Sequence, residues 1–246
     1  MKVSVMGVYF DNYTLSEFIE QALKCIDGGQ RCTVVTPNAE IGLECRNDPQ
    51  MLDLVNRTDL VLPDGISIKM AAKIIGAPIT EKAAGVEFSE GVCAALAKRE
   101  GSVYLFGAKP GVADTAAEKL QQKYPGLKIA GTRNGYFKPE DEADIVKGID
   151  EAKPDLLLVC LGAPKQEFFI DKYKDELPAC IMVGAGGSID VFAGAAKRAP
   201  KIFIKLGLEW FYRLCTEPKR IKRMIKLPLY LWYALLWKLR GDKKNG

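Results

Sequence analysis

Five apolar runs in the chain stop at short polar or glycine-rich segments: TPNAE at 36–40, PDG at 63–65, GAKPG at 107–111, GAPKQE at 162–167 and GAGGSID at 184–190. In an open α/β sheet ligands bind beyond the carboxyl ends of the strands, so these segments are where a site would form. Asp64 and Asp190 are carboxylates able to accept a proton or a hydrogen bond, and Thr36, Asn38 and Gln166 can bond hydroxyls. Gly107, Lys109, Gly111 and Gly186 suit strand-to-helix turns, where first-turn N–H groups favour phosphate. Plainer readings stand beside each. Pro-Asp-Gly is ordinary turn chemistry, Asn38 suits a cap for a helix beginning at Ala39, Gln166 suits a surface, and GAKPG suits a tight connection that merely needs glycine.

The chain contains no histidine. That removes Ser-His-Asp triads, Cys-His dyads and His-ligated zinc, and leaves acid–base work to carboxylates, Lys, Tyr or Cys. Seven cysteines, an odd number without C-x-x-C spacing, read as reduced and mostly buried thiols rather than a disulfide framework or zinc knuckle. Gly184-Ala185-Gly186 opens a dinucleotide fingerprint, but Ile189 stands where its last glycine is required, and GAKPG lacks the ending of a Walker A loop. No Asp-x-Asp is present to hold a divalent cation under a sugar nucleotide. A metal-independent site without a cofactor is therefore expected.

The elements that must position these segments alternate. Thr14 and Glu17 form a capping-box pattern, followed by Leu15, Phe18, Ile19, Ala22, Leu23 and Ile26 at helical spacing. Strands are expected at 32–35, 60–62, 103–106, 156–161 and 181–183, with a helix around Phe88, Val92, Ala95 and Leu96. Continuous runs such as DLLLVCLG suit strands covered on both faces, the habit of a parallel sheet. The expected fold is a Rossmann-like α/β core over residues 1–195. MKVSVMGVYFDNYTL lacks the long apolar stretch and cleavage site of a secretory signal, so the protein is expected in the cytosol.

From residue 196 the character changes, and residues 196–246 are expected to form a C-terminal appendage. Beginning at Arg213 there are ten Lys/Arg against two Asp/Glu, although the whole chain carries only +4; the preceding residues are net acidic. Large aromatics interleave with these charges. The apolar stretch 227–237 is far shorter than the roughly 20 residues that span a bilayer. Tyr230, Trp232, Tyr233 and Trp237 flanked by basic residues suit the headgroup boundary of an anionic membrane. Packing of the same aromatics on the core is the plainer alternative, and the acidic remainder disfavours nucleic acid as the partner.

Seven strings in order, TPNAE (36–40), LPDG (62–65), LFGAKPGV (105–112), GYF (135–137), LGAPKQE (161–167), AGAAKRAP (193–200) and GLEWFYRLCTEPKR (207–220), closely resemble the WecG/TagA/CpsF family of glycosyltransferases. The resemblance implies transfer of N-acetylmannosamine from a UDP donor to N-acetylglucosamine-diphospho-undecaprenol, with inversion, as in teichoic acid linkage-unit synthesis. It implies a peripheral protein on the inner face of the cell membrane and places the catalytic base at Asp64. Under this reading Thr36 is catalytic beside Asp64, Thr36 and Asn38 bond the donor sugar or orient the acceptor, Gln166 bonds a sugar hydroxyl, and Tyr136 and Asp190 contact the uracil. Gly107, Lys109 and Gly186 belong to the donor-binding turns, and Arg213, Arg220 and Arg223 match positions that close over the diphosphate, where a guanidinium fork suits phosphate.

Many relatives carry Arg in the stretch that here reads Thr80-Glu81-Lys82-Ala83-Ala84-Gly85. Lys82 keeps the charge but not the bidentate fork, which leaves a UDP-N-acetylmannosaminuronate donor as an alternative. Two readings of other classes stand beside the transferase. An oxidoreductase would need the fingerprint that Ile189 breaks. A non-catalytic, nucleotide-binding membrane adaptor would need the basic tail but no turnover. Oligomeric state is left open, a homo-oligomer included.

Overall fold

In the computed structural model, which describes residues 2–178, 180–197, 199–205, 207–216 and 221–241, the chain opens with an antiparallel hairpin of β1 (Lys2–Val5) and β2 (Val8–Asp11). A six-stranded parallel sheet follows, built from β3 (Cys32–Val35), β4 (Leu60–Val61), β5 (Ser102–Gly107), β6 (Lys128–Arg133), β7 (Leu156–Cys160) and β8 (Ile181–Gly184) in the spatial order β4-β3-β8-β7-β5-β6. The parallel α/β core expected from the apolar runs is present. β6 had no apolar run to announce it, because all but one of its six residues are half-buried and Lys128 is exposed at the sheet's edge.

The helices between strands are α1 (Leu15–Asp27), α2 (Ala39–Asn47), α3 (Pro49–Asn56), α4 (Ile66–Ile75), α5 (Gly85–Ala97), α6 (Val112–Lys123), α7 (Glu142–Ala152) and α8 (Lys165–Tyr173), and α9 (Ser188–Phe192) follows the last strand. α1 begins with the expected capping box: the Thr14 hydroxyl accepts from the Glu17 N–H, and the Glu17 carboxylate accepts from the Thr14 N–H at 2.7 Å. Its Phe18 and Ala22, one turn apart, are fully buried.

Successive strand residues face opposite sides of the sheet. Val103, Leu105, Leu156, Leu158, Ile181 and Val183 pack with Phe18, Phe88, Val92 and Leu96 on the side of α1 and α5. Tyr104, Phe106, Leu157, Val159 and Met182 pack with Ile145, Ile149, Phe169 and Ile170 of α7 and α8 on the other. Each such side chain, fully withdrawn from water, contributes about 1.5–3 kcal/mol against chain entropy.

A third cluster joins β1 and β2 to α2, α3, α4 and the C-terminal segment. That segment forms α10 (Lys201–Lys205), α11 (Glu209–Thr216), α12 (Ile221–Met224) and α13 (Lys226–Leu239). α13 is docked on α2 and α4: Tyr230 is 1 % exposed, and Ala234, one turn later, is fully buried. Gly42 of α2 makes the approach possible, since a Cβ there would overlap the Tyr230 ring. Lys226 pairs with Glu40 at 2.9 Å, and the Arg46 guanidinium lies 3.8 Å over the Tyr233 ring. Part of the aromatic content of the tail thus packs on the core, as the plainer reading of those residues held.

Candidate active site

Backbone hydrogen bonds lace three of the loops at the carboxyl end of the sheet. Leu62 N–H donates to Val35 O at 2.9 Å, Asp64 N–H to Pro37 O at 3.1 Å, and Ala83 N–H to Pro63 O at 2.9 Å. β4 is short and lies at the sheet's edge, but the buried Asp11 carboxylate of the hairpin accepts from Val61 N–H at 3.0 Å and pins it. Gly65, at φ 89°, then turns the chain from Asp64 into α4 through a conformation that glycine adopts without steric cost.

The loops open on a cleft of about 560 Å³. Thr36, Asn38, Asp64, Lys82, Gln166, Gly186 and Asp190 all line it, drawn from the ends of the four adjacent strands β4, β3, β8 and β7 and the loop before α5. Thr36 is buried at the floor and donates its hydroxyl proton to Gly184 O at 3.1 Å, so toward a ligand its oxygen is an acceptor. Asn38 caps α2, its Oδ1 accepting from Glu40 N–H at 2.8 Å and Ile41 N–H at 3.2 Å. The capping role is realised, and the amide nitrogen is the end of Asn38 suited to a ligand.

Gln166 is no surface residue: it is 2 % exposed. Its Oε1 accepts from Gly186 N–H at 3.1 Å, and its Nε2 donates to Glu167 Oε1 at 2.8 Å. Burial raises the Glu167 carboxyl to about 7, so near neutral pH it is substantially protonated. Burial also pushes the thiols of Cys45, Cys93, Cys160 and Cys180 up to about 12, and all the cysteines are free. These four are poor nucleophiles.

Gly107, Lys109 and Tyr136 do not line this cleft. They lie at the ends of β5 and β6, farther along the same sheet edge, where Ala108 N–H donates to Cys160 O at 3.2 Å and Gly135 N–H to Ala108 O at 2.9 Å. Gly107 packs so tightly on Cys160 that a Cβ would overlap its carbonyl. Lys109 is exposed, and Tyr136 is 66 % exposed, its ring unburied by the core. Arg220 lies outside the described residues, as do the side chains of Arg213 on α11 and Arg223 on α12.

The structure also places residues in the cleft that strand-end reasoning passed over. Ser67, Glu40 and Glu209 line it, and Ile204, Trp210, Met224 and Leu227 give it an apolar wall built from the C-terminal helices and their connections. Trp210 sits within one of the quoted strings, GLEWFYRL, but a Trp beside Phe and Tyr in a basic segment reads as a membrane or packing residue. Among the described residues no group of His, Cys, Asp and Glu has the arrangement of a metal site. Among the described residues Lys82 is the cation that lines the cleft.

Helices on both faces of a parallel sheet, with a polar cleft at the carboxyl ends of the strands, define a doubly wound α/β protein whose cleft lies where such sheets bind ligands. The chain belongs to the glycosyl transferase WecG/TagA/CpsF family, whose model matches residues 3–244. It is similar to proteins named N-acetylglucosaminyldiphosphoundecaprenol N-acetyl-beta-D-mannosaminyltransferase. With the one from Bacillus spizizenii it shares 38% identity over 85% of this chain and 81% of the relative. With those from Bacillus subtilis and Staphylococcus aureus it shares 35% identity, over 92% and 94% of this chain and 88% and 91% of the relatives.

Proposed function

We propose that the protein transfers N-acetylmannosamine from UDP-N-acetylmannosamine to the N-acetylglucosamine of an undecaprenyl-diphosphate-linked acceptor, with inversion at the anomeric carbon. The observation that carries this reading is the convergence of Thr36, Asn38, Asp64, Lys82, Gln166 and Asp190 on one cleft in a chain of this family. In the step itself the acceptor hydroxyl oxygen attacks the anomeric carbon as the bond from that carbon to the diphosphate oxygen breaks. UDP leaves with the electron pair, and Asp64 takes the hydroxyl proton. Lys82 supplies positive charge to the leaving diphosphate, a role that needs no divalent cation.

The nucleotide is read as extending along the sheet edge toward Gly107, Lys109 and Tyr136, with Asp190 reaching the cleft from the first turn of α9. Tyr136 offers a face to the base, and the arginines of the C-terminal segment are assigned to closure over the diphosphate.

The C-terminal helices support a lipid acceptor and a membrane surface. Ile225, Leu229, Trp232 and Leu239 of this segment are exposed, as are Ile202, Leu208, Phe211 and Ile221. The segment that presents these side chains also supplies Trp210, Met224 and Leu227 to the cleft wall. A lipid diphosphate held in the bilayer would thus meet the apolar wall first and bring its sugar to Asp64. α13 has 14 residues, about 21 Å, and among the described residues no helix is long and apolar enough to cross a membrane. The proposed attachment is peripheral, with apolar insertion joined to about 1 kcal/mol for each basic residue near anionic lipid.

UDP release from UDP-N-acetylmannosamine, measured with and without a short-chain N-acetylglucosamine-diphospholipid in EDTA, tests the reading. Acceptor-dependent, chelator-resistant release is expected. Release only from the mannosaminuronate donor would reassign the sugar, and release from neither would return the protein to the adaptor class.

A further inference from the structure

Glu167 has no place in the reaction just described, yet its burial is costly enough to call for an explanation. It is 3 % exposed in the first turn of α8, a position where an acidic side chain ordinarily reaches solvent. Its Oε2 has no hydrogen-bond partner among the described residues, a condition few buried polar atoms share. It lines a cavity of about 20 Å³ with Thr33, Leu54, Arg57 and Asp171, separate from the reaction cleft that Gln166 lines. Its other oxygen, Oε1, accepts the Gln166 amide at 2.8 Å.

Gln166 is thereby held at both ends, its Oε1 taken by Gly186 N–H at 3.1 Å and one hydrogen of its Nε2 by Glu167. The two partners admit one orientation of the amide, since the N–H of Gly186 requires oxygen and Glu167 Oε1 requires a donor. A primary amide nitrogen carries a second hydrogen, and Gln166 lines the cleft. Gly184 makes room for the pair: a Cβ there would stand 3.1 Å from Gln166 Nε2 and 3.2 Å from Glu167 Oε1.

We propose that Glu167 is a positioning residue for sugar transfer, locking the Gln166 amide so that its second N–H faces the donor sugar and its oxygen holds the Gly186 backbone at the cleft floor. This rests on the transferase reading above. Removing the carboxyl frees the amide to rotate and leaves a buried N–H unpaired, so the donor site loosens while the acceptor site is untouched.

The test compares Glu167→Leu, close in size but without an acceptor, with Glu167→Gln, which restores an oxygen to Gln166. For Glu167→Leu, KM for the UDP-sugar should rise about tenfold and KM for the lipid acceptor should hold, as expected when one hydrogen bond to substrate is lost. Glu167→Gln should recover most of that loss. A merely structural role would lower the folded fraction, reducing kcat and leaving both KM values alone; that result, or equal kinetics for the two variants, overturns the proposal. Should Glu167→Leu not fold, Gly184→Ala pushes on the same pair with the carboxyl retained and should raise the same KM. If the wild type turns over no UDP-sugar, the transferase reading fails on its own, and a crystal structure of the Leu or the Ala variant still decides the positioning role. A Gln166 amide displaced from Gly186 supports it, and one left in place refutes it.

Discussion

The backbone N–H of Asp64 donates to the carbonyl of Pro37 at 3.1 Å, tying the loop that carries the proposed base to the loop that carries Thr36 and Asn38. The tether uses main-chain atoms only, so replacing the Asp64 side chain should remove a proton acceptor without opening the cleft. Asp64→Ala should lower kcat about 10²–10⁴-fold, the usual span for a lost general base. UDP affinity, read by calorimetry, should stay within about threefold, because the carboxylate contributes to proton transfer rather than to uniform binding. Turnover near the wild-type rate would remove Asp64 from the mechanism.

Gly42 and Tyr230 form the closest joint between α2 and α13. Gly42→Ala places a methyl group against a ring that is already fully buried, so α13 must shift or the ring must leave its rotamer. Overpacking of this kind costs about 1–3 kcal/mol. The expected result is a melting temperature several degrees lower, with earlier proteolytic cleavage in the C-terminal helices than in the sheet. α2 begins just after its cap Asn38, and α4 begins two residues after Asp64, so the same variant should also lose activity. An unchanged melt would show that the helix is held elsewhere.

Where an element announces itself by burial on both faces, the sequence was enough: Leu156–Cys160 is apolar without a break, and Cys32–Val35 is apolar but for the buried Thr33, because helices cover both sides of the sheet. The hairpin of Lys2–Val5 and Val8–Asp11 was passed over, since four-residue strands around Met6-Gly7 show too little alternation to stand out. Its contribution is invisible without the fold, because Asp11 matters through a backbone N–H fifty residues away. Of the residues the strand-end rule picked out, Thr36, Asn38, Asp64, Gln166, Gly186 and Asp190 line one cleft and Gly107 and Lys109 lie farther along the same edge, while Tyr136 was picked out only by the family resemblance. It could not separate Glu167 from its neighbours. An acidic residue in a helix's first turn is so common that only its burial, set by β3 and β8 beneath it, marks it out.

α13 buries Tyr230 and Ala234 yet leaves Leu229, Trp232 and Leu239 to solvent, with Trp232 55 % exposed. If the exposed face meets lipid, Trp232→Ser combined with Leu229→Ser should weaken co-sedimentation with vesicles containing anionic lipid, by about tenfold or more for the loss of two inserted side chains. The melting temperature should hold, because neither side chain is buried. Activity on a water-soluble, short-chain acceptor should also hold, while activity on a long-chain acceptor in vesicles falls. Equal binding of wild type and variant would assign this face to something other than the membrane.

Glu167 also makes a signature in the pH dependence of folding. Its carboxyl is raised by burial from the ordinary glutamate range to about 7, so between those values the folded protein holds a proton that the unfolded chain releases. Stability from this group is fully present below the unfolded pKa and is lost as the pH rises through about 7, an effect of up to about 3 kcal/mol. The titratable or charged groups around it are Cys45 on α2, Arg57 at the end of α3, Asp171 on α8 and Lys174 just past its end. Burial pushes the Cys45 thiol to about 12. Asp171, against the effect of its own partial burial, is held below its usual value by Arg57 and Lys174. Neither of these two carries the transition. Glu167→Gln, which cannot ionise, should therefore be little different from wild type near pH 5 and more stable than wild type near pH 8, measured as the difference between their denaturant-unfolding free energies. A difference that stays flat across that range would place the Glu167 carboxyl in a far more polar setting than its burial indicates.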